Sequence, residues 1–369
     1  MSRREELLDI VRELCHIPAP SYGEKKRAEY CKKWLENVGA TGVYIDEVNN
    51  AIFPYNCEGS NEITVIAAHI DTVFPDTESY PEYREDDTYI HCPGAGDDTA
   101  GVATLLMTAK YFIENNITPE KGILFVCNSC EEGLGNLVGT KHLMQSYAGR
   151  VKQFLTFDGR IAGVNNIAVG SRRFEVEVRT EGGHSFSKFG RKNAIHALSE
   201  IINEIYSIEI PVKEGAKTTV NVGLIEGGTS INTIAQNAKM LCEYRSSDKD
   251  CLEIMRGHFD RIFESARNDK VEVEVRLLGE RPCKGDVDPV AEKKLIDAYT
   301  VALKEVTGLD VNFGPASTDA NIPMSLGIPA ICVGTFDNCG TSHRREECLL
   351  KDSLEIGLDI AIRTVKAII

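Results

Sequence analysis

Imidazoles and carboxylates recur in this chain just beyond short apolar runs, and side chains of those two kinds bind divalent cations and move protons. The first instance is Ala67-Ala68-His69-Ile70-Asp71. Residues two apart on an extended segment share a face. His69 can therefore ligate a metal through one ring nitrogen while Asp71 receives the other N–H. The second is Gly94-Ala95-Gly96-Asp97-Asp98-Thr99-Ala100-Gly101, at the start of a helical pattern. Helix capping accounts for one aspartate, Asp97 or Asp98, but leaves the flanking glycines, which permit close backbone approach, unexplained. The third is Glu131-Glu132-Gly133, directly after an apolar strand pattern. Neighbouring side chains in an extended turn point apart, so one carboxylate can hold metal while the other serves as a base. Phe157-Asp158-Gly159 and Gly340-Thr341-Ser342-His343 complete the set.

Each motif alone has an ordinary structural explanation. Together His69, Asp97, Glu132, Asp158 and His343 supply two imidazoles and three carboxylates, with the Glu131 carboxylate left over. That inventory suits two divalent ions bridged by Asp97. Three carboxylate charges only partly offset two such ions, so the site stays electrophilic and would favour hydrolysis.

The elements expected to carry these residues follow from apolar periodicity. Residues 4–16, 23–38, 100–115 and 137–147 read as helices, and 63–68, 122–127 and 154–157 as buried strands. That alternation predicts a mostly parallel sheet covered by helices on both faces, with the motifs at its strand ends. After Gly170 the pattern changes. Residues 173–180, 217–225, 235–245 and 271–277 read as strands, with helices over 193–207 and 248–267, a small α+β arrangement. The first pattern returns with helices over 287–306 and 352–368 and a strand at 330–333. The expectation is an α/β catalytic domain with a mostly parallel mixed sheet, made of residues 1–170 and 284–369. Residues 171–283 form an inserted α+β domain.

Composition is consistent with this and excludes other classes. Of 369 residues, 42% are hydrophobic and 26% charged, enough for sizeable cores. A formal charge of −15 argues against a general nucleic-acid binder. No apolar run approaches a membrane span, and the first residues alternate charge with Leu, Ile and Val, unlike a signal peptide. The twelve cysteines are expected to be mostly buried free thiols in a cytoplasmic protein, including the C-x-x-C pair Cys127 and Cys130.

The ordered motifs AHIDTVF (68–74), GDDTAG (96–101), EEG (131–133), FDG (157–159), GGHSFSKFGRKNAI (182–195), GGTSINTIA (227–235), STDANIPMSLGIPAICVG (317–334) and HRREE (343–347) resemble the M20 metallopeptidases, peptidase T-like branch, over essentially the whole chain. The resemblance implies that His69, Asp97, Glu132, Asp158 and His343 bind two metals, usually zinc, with cobalt or manganese as alternatives, and that Asp71 orients the histidine ligand. Glu131 would take the proton from the attacking water and pass it to the leaving amine. It also implies that the inserted domain is a lid and dimerisation domain, giving a homodimer. From that domain His184 would stabilise the oxyanion, in its own chain or across the dimer, while Asn232 and Arg245 would hold substrate. The implied substrate is a short peptide, with an N-acyl amino acid or other small amide as the alternative, and a fold kept only for binding as a third. Two departures bear on substrate rather than metal. Thr99 stands where many relatives carry Lys, and Ser185-Phe186 stands where they often carry Ala or Gly.

Overall fold

The computed structural model describes residues 2–369 and divides into two compact units, the residues to Ala168 with Gly285–Ile369, and Val169–Lys284. The first is built on an eight-stranded sheet. Its four middle strands, Gly122–Asn128, Ile63–His69, Val151–Phe157 and Ala330–Val333, run parallel in that spatial order. Tyr44–Ile45 and Ala51–Tyr55 extend one side, and Gly163–Ala168 and Asn312–Ala316 the other. Every residue of Ile63–His69 and of Gly122–Asn128 is buried, as expected of strands covered on both faces.

Alternation along these strands divides the core. Ile66, Ala68, Phe125, Cys127, Leu155 and Phe157 face the helices Arg3–Cys15, Lys25–Asn37, Gly101–Glu114, Pro289–Thr307 and Ser353–Ile368. Val65, Ala67, Leu124, Val126 and Phe154 point the other way, onto Leu143 and Met144 of helix Val138–Ser146 and onto Ile322 and Met324 of Asn321–Ser325. Each large side chain fully buried in this way contributes about 1.5–3 kcal/mol relative to exposure.

Four strands of this sheet escaped the sequence reading: the two-residue Tyr44–Ile45, and three others for a physical reason. Ala51–Tyr55 contains Pro54 and Asn312–Ala316 contains Gly314-Pro315, residues that weaken a ladder and mark a strand as peripheral. Asn312–Ala316 does lie at the sheet edge. Gly163–Ala168 carries two asparagines and lacks a continuous apolar run.

The second unit is a four-stranded antiparallel sheet in the order Thr218–Gly227, Asn237–Ser246, Gly170–Arg179, Glu272–Arg281. Phe174, Val176, Val178, Met240, Cys242 and Tyr244 form one face, against Leu198, Ile201 and Ile205 of helix Ala194–Tyr206 and Met255 and Phe259 of helix Lys249–Ser265. Asn193 and Asp248 start those helices by accepting the backbone N–H of Ile195 and Cys251.

Ten cysteines are free thiols, nine of them buried. Cys339 and Cys348 depart from the expectation: their Cα atoms are 5.7 Å apart and they are joined by a disulfide across the turn that carries His343. Cys127 and Cys130 do not pair. Cys127 lies against Cys31, and the Cys130 thiol donates to Glu24. Among the described residues no helix is long and apolar enough to cross a membrane.

Arg12, on the first helix, forks onto Glu85 at 2.9 and 3.0 Å, and Lys351 reaches the same carboxylate at 2.7 Å. The Arg12 hydrogen bonds hold the Glu85 carboxyl down at about 2, with burial opposing them. A depressed folded-state value means stability that is present above the unfolded value of ~4.3 and lost as pH falls towards 2. Discounted for solvent screening, Glu85→Gln should cost about 1–2 kcal/mol at pH 7. In denaturant unfolding the gap to wild type should be constant above about pH 5 and narrow from there towards pH 2. A gap that does not change with pH would mean the carboxylate charge contributes nothing.

Candidate metal centre

The first-unit motifs meet at the carboxyl ends of the four parallel strands. His69 ends its strand, Asp158 follows Phe157, Glu131 and Glu132 lie in the turn after Asn128, and His343 lies in the loop after Val333. Open parallel sheets collect ligands at this edge because the loops there converge. Asp97 arrives from the turn before helix Gly101–Glu114.

Three groups of ligand atoms each lie within 4.8 Å of one another: His69, Asp97 and Asp158; Asp97, Glu132 and His343; and His69, Glu131 and Glu132. Asp97 joins the first two. One of its oxygens is 3.1 Å from His69 Nε2 and the other 3.2 Å from His343 Nε2. His343 Nε2 is also 3.2 Å from Glu132 Oε1. That oxygen is buried and has no hydrogen-bond partner. His343 itself is held at φ +64°, an uncommon conformation for a residue with a side chain.

Asp71 does more than the sequence suggested. His69 Nδ1 donates to the Asp71 carbonyl oxygen at 3.0 Å, and the Asp71 carboxylate stands farther off at 3.4 Å. This fixes the tautomer that presents Nε2 to Asp97. The carboxylate itself accepts the backbone N–H of Glu131 at 2.9 Å, that of Glu132 at 3.0 Å, and the Ser21 hydroxyl at 2.7 Å. One buried aspartate thus places the whole Glu131-Glu132 turn.

Helix capping by Asp97 or Asp98 is not observed. Asp98 instead accepts the backbone N–H of His69 at 3.1 Å. Gly101 makes this possible, because a Cβ there would lie 2.1 Å from Asp98 Oδ1 and 2.5 Å from the Phe157 carbonyl. Thr99, the departure noted above, accepts from Arg27, a fully buried guanidinium whose other acceptors are the Leu14, Ile17 and Ile70 carbonyls.

The electrostatics describe an anionic cluster short of cations. Burial pushes the Asp98 carboxyl well up, and the Asp158 carboxyl likewise, with the charge of Asp97 adding to both. Burial raises Glu132 to about 7 and Glu347 to about 8, again with Asp97 contributing. Burial opposes charge on His69, but hydrogen bonds to Asp71 and Asp97 more than reverse it and push the imidazole well up. His343 is raised to about 11 by its contacts with Asp97 and Glu132. Burial would raise Asp97, yet contacts with His343 and His69 hold it well below the usual carboxylate range. Two imidazoles, three carboxylates and an orphaned ligand oxygen fit a pair of divalent ions.

The residues expected from the inserted domain are accounted for within the second unit. His184 is exposed, and its Nδ1 accepts the backbone N–H of Phe186 and Ser187 at 3.3 and 3.4 Å. Asn232 is exposed, with its backbone carbonyl accepting from Ser185 and its side-chain oxygen accepting from Ser230. Arg245 forks onto Glu243 at 2.8 and 3.0 Å. Phe186, the other departure, is exposed. Sequence reasoning missed Ser21 and Glu347, because a buried polar side chain looks the same as a solvated one in a sequence.

Comparison with known proteins places this geometry in a family. The family model for Peptidase family M20/M25/M40 matches residues 65–367. Succinyl-diaminopimelate desuccinylase of Corynebacterium glutamicum is 24% identical over 365 residues, spanning 94% of this chain and 93% of that protein. A crystal structure of a tripeptidase from Staphylococcus aureus superposes with TM-score 0.78 at 22% identity, covering 99% of this chain and 98% of that one. Aminopeptidase PepT from Bacillus cereus superposes with TM-score 0.74 at 21% identity and the same coverage. The chain belongs to peptidase family M20/M25/M40 and is a metallopeptidase.

Proposed function

We propose that this enzyme hydrolyses an amide bond of short peptides, tripeptides foremost, with two divalent ions held by His69, Asp97, Glu132, Asp158 and His343. The single observation that carries the proposal is Asp97, whose two carboxylate oxygens face two different imidazoles. Zinc is the first choice for that donor set, with cobalt or manganese as alternatives. When bound, such ions supply Lewis acidity and can lower the pKa of water to about 7 from ~15.7.

The remaining chemistry belongs to the chain. Glu131, 5% exposed and beside His69 and Glu132, takes the proton of the attacking water and returns it to the departing amine. Asp71 holds the His69 tautomer and the Glu131-Glu132 turn together. His184, Asn232 and Arg245 are assigned to the oxyanion and to substrate, and the Val169–Lys284 unit to a homodimer, by family resemblance. Cytoplasmic residence belongs to the same proposal.

A second reading is favoured by the desuccinylase relative: the same machinery acting on an N-acyl amino acid or another small amide. Assaying metal-loaded enzyme against tripeptides, dipeptides, and N-acetyl and N-succinyl amino acids separates the two. The expected result is the highest kcat/KM on a tripeptide and loss of activity on chelation. A preference for acyl amino acids would replace the substrate assignment. Activity unchanged after the metals are removed would end the proposal, and a metal-loaded enzyme that cleaves nothing would favour a binding protein that keeps the fold.

A further inference from the structure

Glu347 is a carboxylate with 0% exposure, four residues beyond His343. Its Oε1 accepts the backbone N–H of Gly96 and of Asp97, both at 2.8 Å, and its Oε2 accepts that of Gly94 at 3.1 Å. Three N–H groups converging on one carboxylate form an anion-binding nest, here filled from within the protein. The acid is itself tethered. Its backbone carbonyl accepts from Cys92, and Cys348–Leu350, which follows it, pairs with Tyr89–His91. Gly96 leaves no alternative packing, since a Cβ there would come within 2.9 Å of Glu347 Oε1.

We propose that Glu347 is a positioning residue that sets the Asp97 carboxylate between His69 and His343. The inference rests on the metal-centre reading given above. The bond at the Asp97 N–H fixes the peptide plane from which that side chain departs. Because Glu347 shares a short loop with His343, the same contact ties the two ligands together. A carboxylate that only filled space would not need three donors from four consecutive residues, one of them the N–H of Asp97 itself. The alternative role is purely structural, holding the loop folded without setting ligand geometry.

The test compares wild type, Glu347→Ala, Glu347→Gln and Gly96→Ala for melting temperature, bound metal, the visible absorption of the cobalt-loaded enzyme, and kcat and KM on a tripeptide. Supporting groups around metal ligands typically contribute 10–100-fold in metal affinity or activity. Glu347→Ala should therefore weaken the second cobalt site and lower kcat, each by about that factor, with an altered cobalt spectrum and KM within about twofold. Glu347→Gln keeps an amide oxygen for Gly96 and Asp97 but sets its NH2 against the Gly94 N–H, so it should recover part of the loss. Gly96→Ala displaces the clamp from the other side and should reproduce the spectral change, which covers the case in which Glu347→Ala does not fold. Folded Glu347→Ala, or Gly96→Ala in its place, with wild-type metal affinity and cobalt spectrum would overturn the inference while leaving the metal centre intact. Wild type that binds no pair of ions would overturn both.

Discussion

Glu131→Ala should purify with the same metal content as wild type and a kcat about 10²–10⁴-fold lower, the usual contribution of a positioned general base. The backbone of Glu131 is fixed by Asp71, independently of its own side chain, so truncation leaves the turn and Glu132 in place. KM should change little, because the proton is moved during the chemical step rather than on binding. Metal content is the decisive half of the measurement. Glu131 lies within ligand distance of His69 and Glu132, so it has the geometry of a ligand as well as of a base. If the variant loses an ion along with its activity, Glu131 is a ligand and the base must be sought elsewhere. If it keeps both ions and near-normal turnover, it is neither.

The second large effect is expected at Asp97. Both imidazoles approach this side chain, on opposite oxygens, so in the proposed two-ion centre its removal would deprive each ion of a ligand. Asp97→Ala should bind one ion or none in elemental analysis. Losing several kcal/mol of Lewis-acid stabilisation corresponds to about 10³-fold or more in rate. Stability should fall as well. Asp97 repels Asp158, Asp98, Glu132 and Glu347. Its contacts with His343 and His69 nevertheless outweigh burial and hold its own carboxyl well below the usual range, which makes the ionised side chain stabilising at pH 7. The metal-free variant should therefore melt lower than metal-free wild type, and saturating zinc should stabilise it less. Two tightly held ions in purified Asp97→Ala would contradict the bridge.

The sequence was most informative where one physical pattern dominated. Ile63–His69 and Gly122–Asn128 are unbroken apolar segments ending in a polar residue, so both the strand and the placing of His69 and Glu131-Glu132 at the sheet edge could be read directly. The helices over Ala194–Tyr206 and Lys249–Ser265 were equally plain from their apolar spacing. What escaped was set by tertiary partners. Asp98 looked like a cap but serves the His69 N–H. The Asp71 carboxylate was expected at His69, from which it lies 3.4 Å, and it also gathers the Glu131 and Glu132 amides. Arg27 satisfies a buried guanidinium with three carbonyls and a hydroxyl, with no acid among those acceptors to betray it by spacing. Glu347 was quoted in a motif without a role, since nothing local separates it from the exposed Glu346 beside it.

The central sheet is threaded through a long interruption. Val151–Phe157 takes its neighbour from Ala330–Val333, and Gln153 bonds the Ile368 carbonyl, yet all of Val169–Lys284 lies between them along the chain. During synthesis the inserted unit is complete while one flank of Val151–Phe157 still waits, an open edge of the kind that recruits foreign strands. The helix Ser353–Ile368, whose Leu354, Leu358, Ile360 and Val365 belong to the core, emerges later still. Biogenesis of the catalytic half is therefore governed by its most delayed segments, and a nascent chain halted before them would be chaperone clientele rather than a shortened enzyme.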